Sequence, residues 1–557
     1  MPATFFVRTH GMPAASLPAR DARLRCVRAW LVPDLALALT AVTLLYLMLL
    51  FGAGEKLFRD SDAGWHIRIG ERMLAGGGLP TTDPFSFTKA AAPWVAWEWL
   101  ADVAMGAMHQ ADGLRGVALL YTVLIGACTW LWVRLNWAVG GTFLVTAGMA
   151  LPMLSTANLH WLGRPHVFSW VLALSGLLWL EKRQRSGLGV GELVAIGLIG
   201  SLWANLHASF ALGFVFLCFY AVAAGVAPLV WKVPLVRAEA RTYWAFALAF
   251  LAGTFINPYG WHLHRHIVAY LGNSELLARI GEFQSFNFHA EGAGQILLGV
   301  LLAAAGLVAC LAQGRLAHAL IIGALLAGAL RSARGLPLLA LIALPLANGA
   351  IAAGLQRLGG LKPAAQTAVA GALQYSTNLR ALERNAHGLA WVPVLMLLCA
   401  ACLSAQRVGF PRDQFPVEAA RHLPPQARLL APDKFGGYLI YASNGQRKVF
   451  FDGRSDFYGV EFMKEYIALV EVRPGWERTL ARYSFTHALL PNNYSLIPAL
   501  EQRGWRVTHR DGTATLLESA VLKTAELKTA VLKTAVPKTT VPESTVLETR
   551  KATDGPE

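Results

Sequence analysis

The 557 residues are 55% hydrophobic and only 15% charged, with a mean hydropathy of +0.44. Soluble domains carry about 25% charged residues, so this composition excludes an ordinary soluble protein and predicts a polytopic membrane protein. The formal net charge of +15 does not indicate nucleic-acid binding, because the basic residues lie in short segments between apolar runs, where they set membrane topology.

The first apolar run, from Trp30 to Phe51, follows a basic segment with arginines at positions 20, 23, 25 and 28. A cleaved signal peptide is the alternative interpretation. The run, however, has the length of a spanning helix, exceeds a cleavable apolar region and lacks a clean small-residue cleavage site. We therefore expect residues 1–29 to be a cytoplasmic N-terminus and the run to be the first transmembrane helix.

Ten further apolar runs predict a mainly α protein, a polytopic bundle of about eleven spans over residues 30–406. From a cytoplasmic N-terminus, alternation places the connections rich in arginine and lysine inside, as the positive-inside rule requires. Two long outer loops are then expected, at residues 53–113 and 257–292. The runs lie near residues 30–52, 114–134, 138–157, 165–181, 192–206, 209–230, 242–256, 293–312, 317–331, 336–354 and 389–406.

The same alternation places the polar motifs on the extracytoplasmic face. Asp60 and Asp62 follow the first apolar run directly, and carboxylates at a membrane surface are costly to keep for packing alone. Two solvated charges flanking a helix are the alternative. This face also collects His66, Asp83, Glu98, His160, Arg164, His166, Asn205, His207, Asn257, His262, His264, His266, Glu282, Arg331 and Arg334. Their convergence predicts one site.

The first outer loop contains two local patterns. Residues 70–78 predict a short helix that ends in a glycine turn. Trp94, Trp97 and Trp99 predict a helix that lies in the membrane interface, where indole rings accumulate. Glu98 stands inside this cluster, so partial desolvation should raise its pKa and suit it to proton transfer or to positioning of an acceptor.

The motifs of this region resemble those of the multi-spanning glycosyltransferases of the GT-C superfamily. The likeness rests on the Asp-x-Asp pair after the first membrane helix, Gly64-Trp65-His66, the glycine turn before Leu79-Pro80, Asp83-Pro84-Phe85-Ser86 and Trp97-Glu98-Trp99-Leu100. It extends over residues 30–350 and is strongest over 59–100. The chain is similar in this respect to protein O-mannosyltransferases, to lipid A aminosugar transferases and to bacterial integral membrane proteins of that fold without an assigned substrate.

The resemblance implies a role for the acidic pair. In GT-C enzymes, which use polyprenyl-phosphate sugars as donors, an acidic residue of the first outer loop acts as general base toward the acceptor hydroxyl or, in some branches, binds a divalent metal. Here that residue is Asp60 or Asp62, and proximity to the membrane end of the first helix favours Asp60. The pair is also the candidate site for Mg²⁺ or Mn²⁺, whose preferred ligands are hard oxygen atoms, and metal dependence stays open.

Glycosyl transfer from a lipid phosphate also needs groups that stabilise the departing phosphate. Arg164 and Arg334 are candidates because guanidinium groups bind phosphate by forked hydrogen bonds; interface anchoring is the alternative, above all for Arg331. Histidines near helix ends either bind phosphate or orient a carboxylate, or are ordinary satisfied polar residues. The remaining candidates are His66, His160, His166, Asn205, His207 and Glu282, with a capping or surface role as the alternative for Glu282.

The triplet His262, His264 and His266 does not predict a metal site. Alternate spacing aligns ligands only on a strand, whereas the flanking residues Asn257-Pro258-Tyr259-Gly260 predict that the triplet lies in a loop that leads to an interfacial helix.

The composition changes after residue 406. Residues 407–518 carry ordinary charge and mixed strand and helix patterns, which predicts an extracytoplasmic α/β domain. Residues 435–441 and 448–452 read as strands and residues 461–470 as a helix. Asp452, Arg454 and Asp456 either bind acceptor or form an internal salt bridge. Residues 519–557 repeat about every five residues and are rich in lysine, threonine and proline, which predicts a low-complexity disordered tail.

The sequence therefore predicts a glycosyltransferase of the bacterial inner membrane. It would move a sugar from a polyprenyl-phosphate donor to an extracytoplasmic glycolipid, polysaccharide or protein. A transporter or flippase is one alternative, although the predicted spans show neither deeply placed charges nor paired interrupted helices. A non-catalytic membrane assembly protein is the other. The sugar, the acceptor and the oligomeric state are not determined by the sequence.

Overall fold

The computed structural model describes residues 27, 29–183, 188–231, 237–357, 362–383 and 386–519. The predicted N-terminal segment and, beyond residue 519, the predicted disordered tail lie outside these residues. The bundle helices are α1 Leu35–Leu45, α2 Ala53–Lys56, α3 Asp62–Arg72, α4 Trp99–Ala138, α5 Phe143–Ala157, α6 His166–Lys182, α7 Val190–Leu206, α8 Ala211–Val230, α9 Arg237–Thr254, α10 Trp261–Gly272, α11 Ser274–Leu277, α12 Ala293–Ala312, α13 Leu316–Arg331, α14 Gly335–Leu338, α15 Leu344–Leu355, α16 Pro363–Glu383 and α17 Trp391–Ala405.

The predicted helical bundle is confirmed, and each of the eleven apolar runs overlaps at least one helix. Among the described residues, five helices are long and apolar enough to cross a membrane, and three more are apolar but shorter. The number of helices that cross the membrane stays a prediction. The five are Ala29–Phe51, Trp99–Ala138, Ala208–Val230, Ala293–Ala312 and Gly335–Leu355, and the shorter three are α7, α13 and α17.

Helix α4 is longer than its apolar run. It begins at Trp99 and breaks at Asp112 and Gly113, where Gly113 has a φ of 57° that a residue with a side chain rarely adopts. The apolar run starts just after this break. The first part of α4 therefore belongs to the loop region that the sequence places outside, and it packs against α3.

The C-terminal region is an α/β unit, as predicted. Its sheet has the order β1-β2-β4-β3, with β1 parallel to β2 and the other pairs antiparallel. Strand β4 is buried in the middle, whereas β3 is an exposed edge. The elements are β1 Leu429–Leu430, α18 Asp433–Ala442, α19 Ser455–Val470, α20 Trp476–Tyr483, β2 His487–Pro491, α21 Leu496–Gln502, β3 Arg506–Arg510 and β4 Ala514–Glu518.

Two strand predictions in this unit are wrong. Residues 435–441 lie within helix α18, and of residues 448–452 only Val449 pairs, in a single bridge with Ser86 of the first outer loop. The reason for the helix is its glycine face. A Cβ atom on Gly64 of α3 would lie 2.1 Å from the carbonyl oxygen of Gly437 on α18, and one on Gly437 would lie 2.2 Å from that of Ser61. Only glycine allows this contact, which brings the C-terminal unit against the start of α3.

The predicted interfacial helix around the three tryptophans is also wrong. Residues 94–98 are extended or in a turn before α4 begins at Trp99. The Trp94 side chain is buried, 6.1 Å from the ring of Trp65, and the guanidinium of Arg454 lies 4.7 Å from its ring. The indole is therefore covered by the C-terminal unit instead of by lipid.

Arg454 joins the first outer loop to the C-terminal unit. Its buried guanidinium donates to Asp452 at 2.6 Å and to Asp83 at 2.7 Å. The internal salt bridge that the sequence left as an alternative is thus observed between Arg454 and Asp452, and Arg454 also pairs with Asp83 of the first outer loop. Because Asp83 also accepts from the backbone N–H groups of Phe85 and Ser86, the link fixes the loop backbone.

Candidate active site

Three carboxylates from distant segments surround Arg164, which lies in the turn before α6. The guanidinium donates to Asp60 Oδ2 at 2.7 Å and to Glu282 Oε1 at 3.1 Å, and it forms an ion pair with Asp62 Oδ2 at 2.8 Å. The turn is tied to the start of the loop by the N–H of Gly163, which donates to the Leu57 carbonyl at 2.7 Å. Asp60 and Asp62 do flank a helix, as the alternative supposed, but they are ion-paired and not solvated.

The second cation, Arg334, lies on the other side of Glu282. Its guanidinium donates to Glu282 and stacks on Phe283, 4.5 Å from the ring centre. Hydrogen bonds to main-chain carbonyls hold the two segments together. The Ala333 N–H donates to the Gln284 carbonyl, and the Ser332 hydroxyl donates to the Glu282 carbonyl. The Arg334 side chain is 33% exposed, so part of the guanidinium faces open space.

Glu98 lies among two histidines and a second buried carboxylate. His66 places Nδ1 2.5 Å from Asp102 Oδ1 and Nε2 3.8 Å from Glu98 Oε2. His207 accepts the Ser209 backbone N–H at Nδ1, so its Nε2 carries the proton and faces Glu98 Oε1 at 3.3 Å. Glu98 thus lies between two imidazole rings. His207 presents its Nε2 hydrogen to Glu98, and His66 presents Nε2 to Glu98 while its Nδ1 faces Asp102.

Burial and the nearby guanidinium groups shift the pKa values of these carboxyl groups in opposite directions. It raises the pKa of Asp62 to about 7, a rise that Arg164 opposes and that Asp60 and Glu282 increase. Burial likewise raises the pKa of Glu98 to about 8, against the effect of Arg164. For Glu282 burial is outweighed, and Arg164 and Arg334 hold its pKa below the ordinary value. Two of the three therefore titrate near neutral pH.

His66, His160 and His207 are neutral at physiological pH. Burial lowers the pKa of His66 well below its ordinary value, that of His160 to about 4 and that of His207 to about 3, and the nearby guanidinium groups add to each effect. Neutral rings act as hydrogen-bond partners and not as cations.

The remaining predicted residues lie at the edge of this cluster. His166 donates from Nε2 to the His160 carbonyl at 2.9 Å, and its ring lies 6.4 Å from that of His207. Asn205 accepts from the indole N–H of Trp99 at 2.7 Å and donates to the Ser201 and Ile256 carbonyls, so it fixes the start of α4 beside Glu98. Arg331 is exposed at the end of α13.

Asp102 is a member of the cluster that sequence reasoning missed. It is 1% exposed and bonded to His66. Its signal in the sequence is the spacing of four residues from Glu98, which places two carboxylates on one side of a helical turn.

The histidine triplet is helical, which corrects the expected loop. Helix α10 begins at Trp261, so the three rings point in different directions. His264 bonds to the Thr254 hydroxyl at 2.8 Å, while His266 reaches Asp456 of the C-terminal unit at 3.1 Å. Only His266 approaches the site, and it does so together with Asp456.

The acidic residues do not fit a divalent ion in this arrangement. One oxygen of each of the Asp60, Asp62 and Glu282 carboxylates already lies within 3.1 Å of the Arg164 guanidinium. Across the residues that the structure describes, no group of three His, Cys, Asp or Glu side chains is arranged to hold a metal ion. The predicted Mg²⁺ or Mn²⁺ site gains no support from this geometry.

Comparison with solved structures identifies the architecture. The Archaeoglobus fulgidus oligosaccharyltransferase in the apo form, an enzyme of the GT-C type, superposes with a TM-score of 0.50 at 10% identity, over 82% of this chain and 69% of that chain. The chain has the GT-C fold. A. fulgidus AglB, an archaeal oligosaccharyltransferase in complex with an inhibitory peptide and a dolichol-phosphate, matches with a TM-score of 0.49 at 11% identity and the same coverage.

The GT-C fold is the one that the sequence resemblance implied, and that prediction is confirmed. No family model matches the chain, and no curated protein matches its sequence. The likeness to oligosaccharyltransferases at this identity concerns the fold, so the chemistry has to be argued from the side chains of the site.

Proposed function

We propose that the protein is a membrane glycosyltransferase that moves a sugar from a polyprenyl-phosphate donor to an extracytoplasmic acceptor. The observation that carries the proposal is the cluster of Asp60, Asp62, Glu282, Arg164 and Arg334, assembled from four segments within a GT-C fold. Such a cluster offers a proton acceptor next to a partly exposed cation.

The base in this proposal is Asp62. Both oxygens of Asp60 are engaged, one by Arg164 and one by the Asp62 backbone N–H at 2.9 Å. The pKa of Asp62, about 7 because of burial, suits a general base at neutral pH. Sequence position alone favoured Asp60, whereas hydrogen bonding favours Asp62.

The transfer step is a displacement at the anomeric carbon. The acceptor oxygen forms a bond to that carbon while the bond to the phosphate oxygen breaks, and the phosphate leaves with the electron pair. The acceptor proton passes to Asp62. No metal is required for this balance, because the charge that develops on the phosphate is met by a guanidinium group.

Arg334 is the cation best placed for the phosphate. Arg164 already contacts three carboxylates, so its charge is neutralised locally and its donors are used. Arg334 contacts Glu282 alone among the carboxylates of the described chain, and a third of its side chain is exposed. We therefore assign Arg164 to holding the carboxylates and Arg334 to the departing phosphate by forked hydrogen bonds.

Glu98 completes the proposed site as a proton-holding group on the side of His66 and His207. A pKa of about 8 keeps it protonated at neutral pH, so it can donate to an acceptor oxygen and orient it. The C-terminal unit also approaches the proposed base, since a Cβ atom on Gly453 would lie 2.9 Å from Asp62 Oδ1.

The test is substitution of the carboxylates in a strain that expresses the full chain. Asp62→Asn should lower turnover of the lipid-linked sugar by about 10²- to 10⁴-fold, because a general base contributes on that scale. Asp112→Asn is the matched control, since Asp112 is half exposed and pairs only with Arg115 of its own helix within the described structure. Insertion of each variant is checked by membrane fractionation.

Three readouts distinguish the alternatives. Accumulation of donor with loss of surface glycan supports transfer; normal turnover in Asp62→Asn and Asp60→Asn alike would rule it out. A transporter would show loss of surface product with unchanged hydrolysis or transfer in permeabilised membranes. A reporter that is active only outside the cytoplasm, fused after residue 518, tests the sidedness, and inactivity there would refute it.

A further inference from the structure

A cavity of about 400 Å³ lies at the opposite end of the bundle from the carboxylates. Helix α6 runs for 17 residues from His166, beside the site, to Lys182, so the two ends are about 25 Å apart. The cavity is formed where α4, α6, α8 and α13 end or begin. Its volume lies within the roughly 300–1,000 Å³ typical of small-molecule sites.

One wall of the cavity carries a satisfied acidic group. Glu181 receives the His318 Nε2 hydrogen at 2.9 Å and the hydroxyl hydrogen of Tyr220. Both donors bind the same carboxylate oxygen, Oε1. His318 is 9% exposed, and its Nδ1 is buried with no hydrogen-bond partner in the part of the chain that the structure describes.

The other polar group of the cavity is a cation without a carboxylate of its own. Arg315 donates from Nη1 to the Val139 carbonyl at 3.4 Å, a long contact; it forms no ion pair with a described carboxylate, although its charge acts on Glu181 across the cavity. A guanidinium group without an ion-paired carboxylate at the end of a membrane bundle favours binding of an anion. The rest of the lining is small and apolar, with Ala138, Ala223 and Ala227 among it.

We propose that this cavity binds the phosphate group of an anionic phospholipid. Arg315 would hold the phosphate, the unpartnered Nδ1 of His318 would accept a hydrogen from the glycerol part, and the alanine wall would contact the start of the acyl chains. A lipid fits better than a free phosphate because the cavity joins one cation to an apolar wall at a bundle end, the usual setting of headgroup sites between membrane helices. The inference is independent of the proposed glycosyl transfer.

The experiment measures thermal unfolding of the full-length protein, purified in detergent and depleted of lipid. Phosphatidylglycerol, phosphatidylcholine and inorganic phosphate are titrated separately, and native mass spectrometry counts retained lipid. Phosphatidylglycerol should raise the unfolding temperature in a saturable way, because a ligand that binds only the folded state stabilises it. Equal shifts with phosphatidylcholine, or a full shift with inorganic phosphate alone, would overturn the proposal.

Variants locate the effect. Arg315→Gln should weaken phosphatidylglycerol binding by about tenfold or more, the scale of a lost charge-assisted hydrogen bond, while Arg315→Lys should retain part of it. Ala227→Leu fills the cavity without changing charge and should also weaken phosphatidylglycerol binding. It tests the site if Arg315→Gln does not fold. Arg357→Gln, at an exposed residue near the end of α15 and outside the cavity lining, is the control. Unchanged binding in both Arg315→Gln and Ala227→Leu would refute the site.

Discussion

The link between the first outer loop and the C-terminal unit gives the sharpest prediction, because it can be tested without a substrate. Arg454 is 4% exposed and makes hydrogen bonds of 2.6–2.8 Å to Asp452 and Asp83, which are 0% and 5% exposed. In Arg454→Met both carboxylates would stay buried without their cation. Removal of one partner from a buried pair costs about 3–5 kcal/mol.

The lower end of that range applies here. Asp83 keeps two backbone donors, Phe85 and Ser86, and Asp452 keeps the Tyr458 hydroxyl at 3.2 Å. We therefore expect a loss of about 3 kcal/mol, which corresponds to a fall in unfolding temperature on the order of 10 °C for a unit of this size. Tryptophan fluorescence of the full-length protein in lipid nanodiscs follows the transition.

Two further variants make the reasoning refutable. The triple variant Asp83→Asn, Arg454→Met, Asp452→Asn removes the uncompensated charges and should recover at least half of the loss. Arg482→Met breaks an exposed pair with Glu465, whose contacts of 2.6 and 2.7 Å are just as short, and should cost under about 1 kcal/mol. If Arg454→Met is no less stable than Arg482→Met, or the triple variant is no better than the single one, the buried link does not hold the two parts together.

The remaining predictions concern proton transfer in the site. Turnover should rise with pH through about 7, because Asp62 acts as a base only after it loses its proton at a pKa of about 7; a rate independent of pH between about 6 and 8 would contradict this. Above about 8 the rate should fall as Glu98, with a pKa of about 8, loses the proton that it donates. Glu98→Gln should remove only the fall in rate above about pH 8. If the fall persists in this variant, another group causes it. Asp102→Asn should lower kcat by about tenfold with little change in KM, because it weakens the hold on His66, and Asp102→Glu should restore part of the rate. Equal losses in both Asp102 variants would point to a folding defect instead.

The sequence by itself determined the class of fold and the identity of most candidate residues. Apolar runs of membrane length required helices, since backbone groups in lipid must be hydrogen-bonded within the segment. Alternation of those runs grouped Asp60, Arg164, Glu282 and Arg334 on one side, and the structure brings them into contact. Their catalytic roles stay predictions.

Tertiary structure alone decided how the candidates are used. Arg164 contacts three carboxylates, whereas Arg334 contacts one. This difference depends on distances between segments that are 52 to 118 residues apart in the chain, which periodicity does not encode. Three of the mispredicted elements, residues 94–98, 435–441 and 448–452, lie at the contact between the bundle and the C-terminal unit. Local propensity fails there because the glycine contact and the buried indole ring gain their stability from a partner remote in sequence.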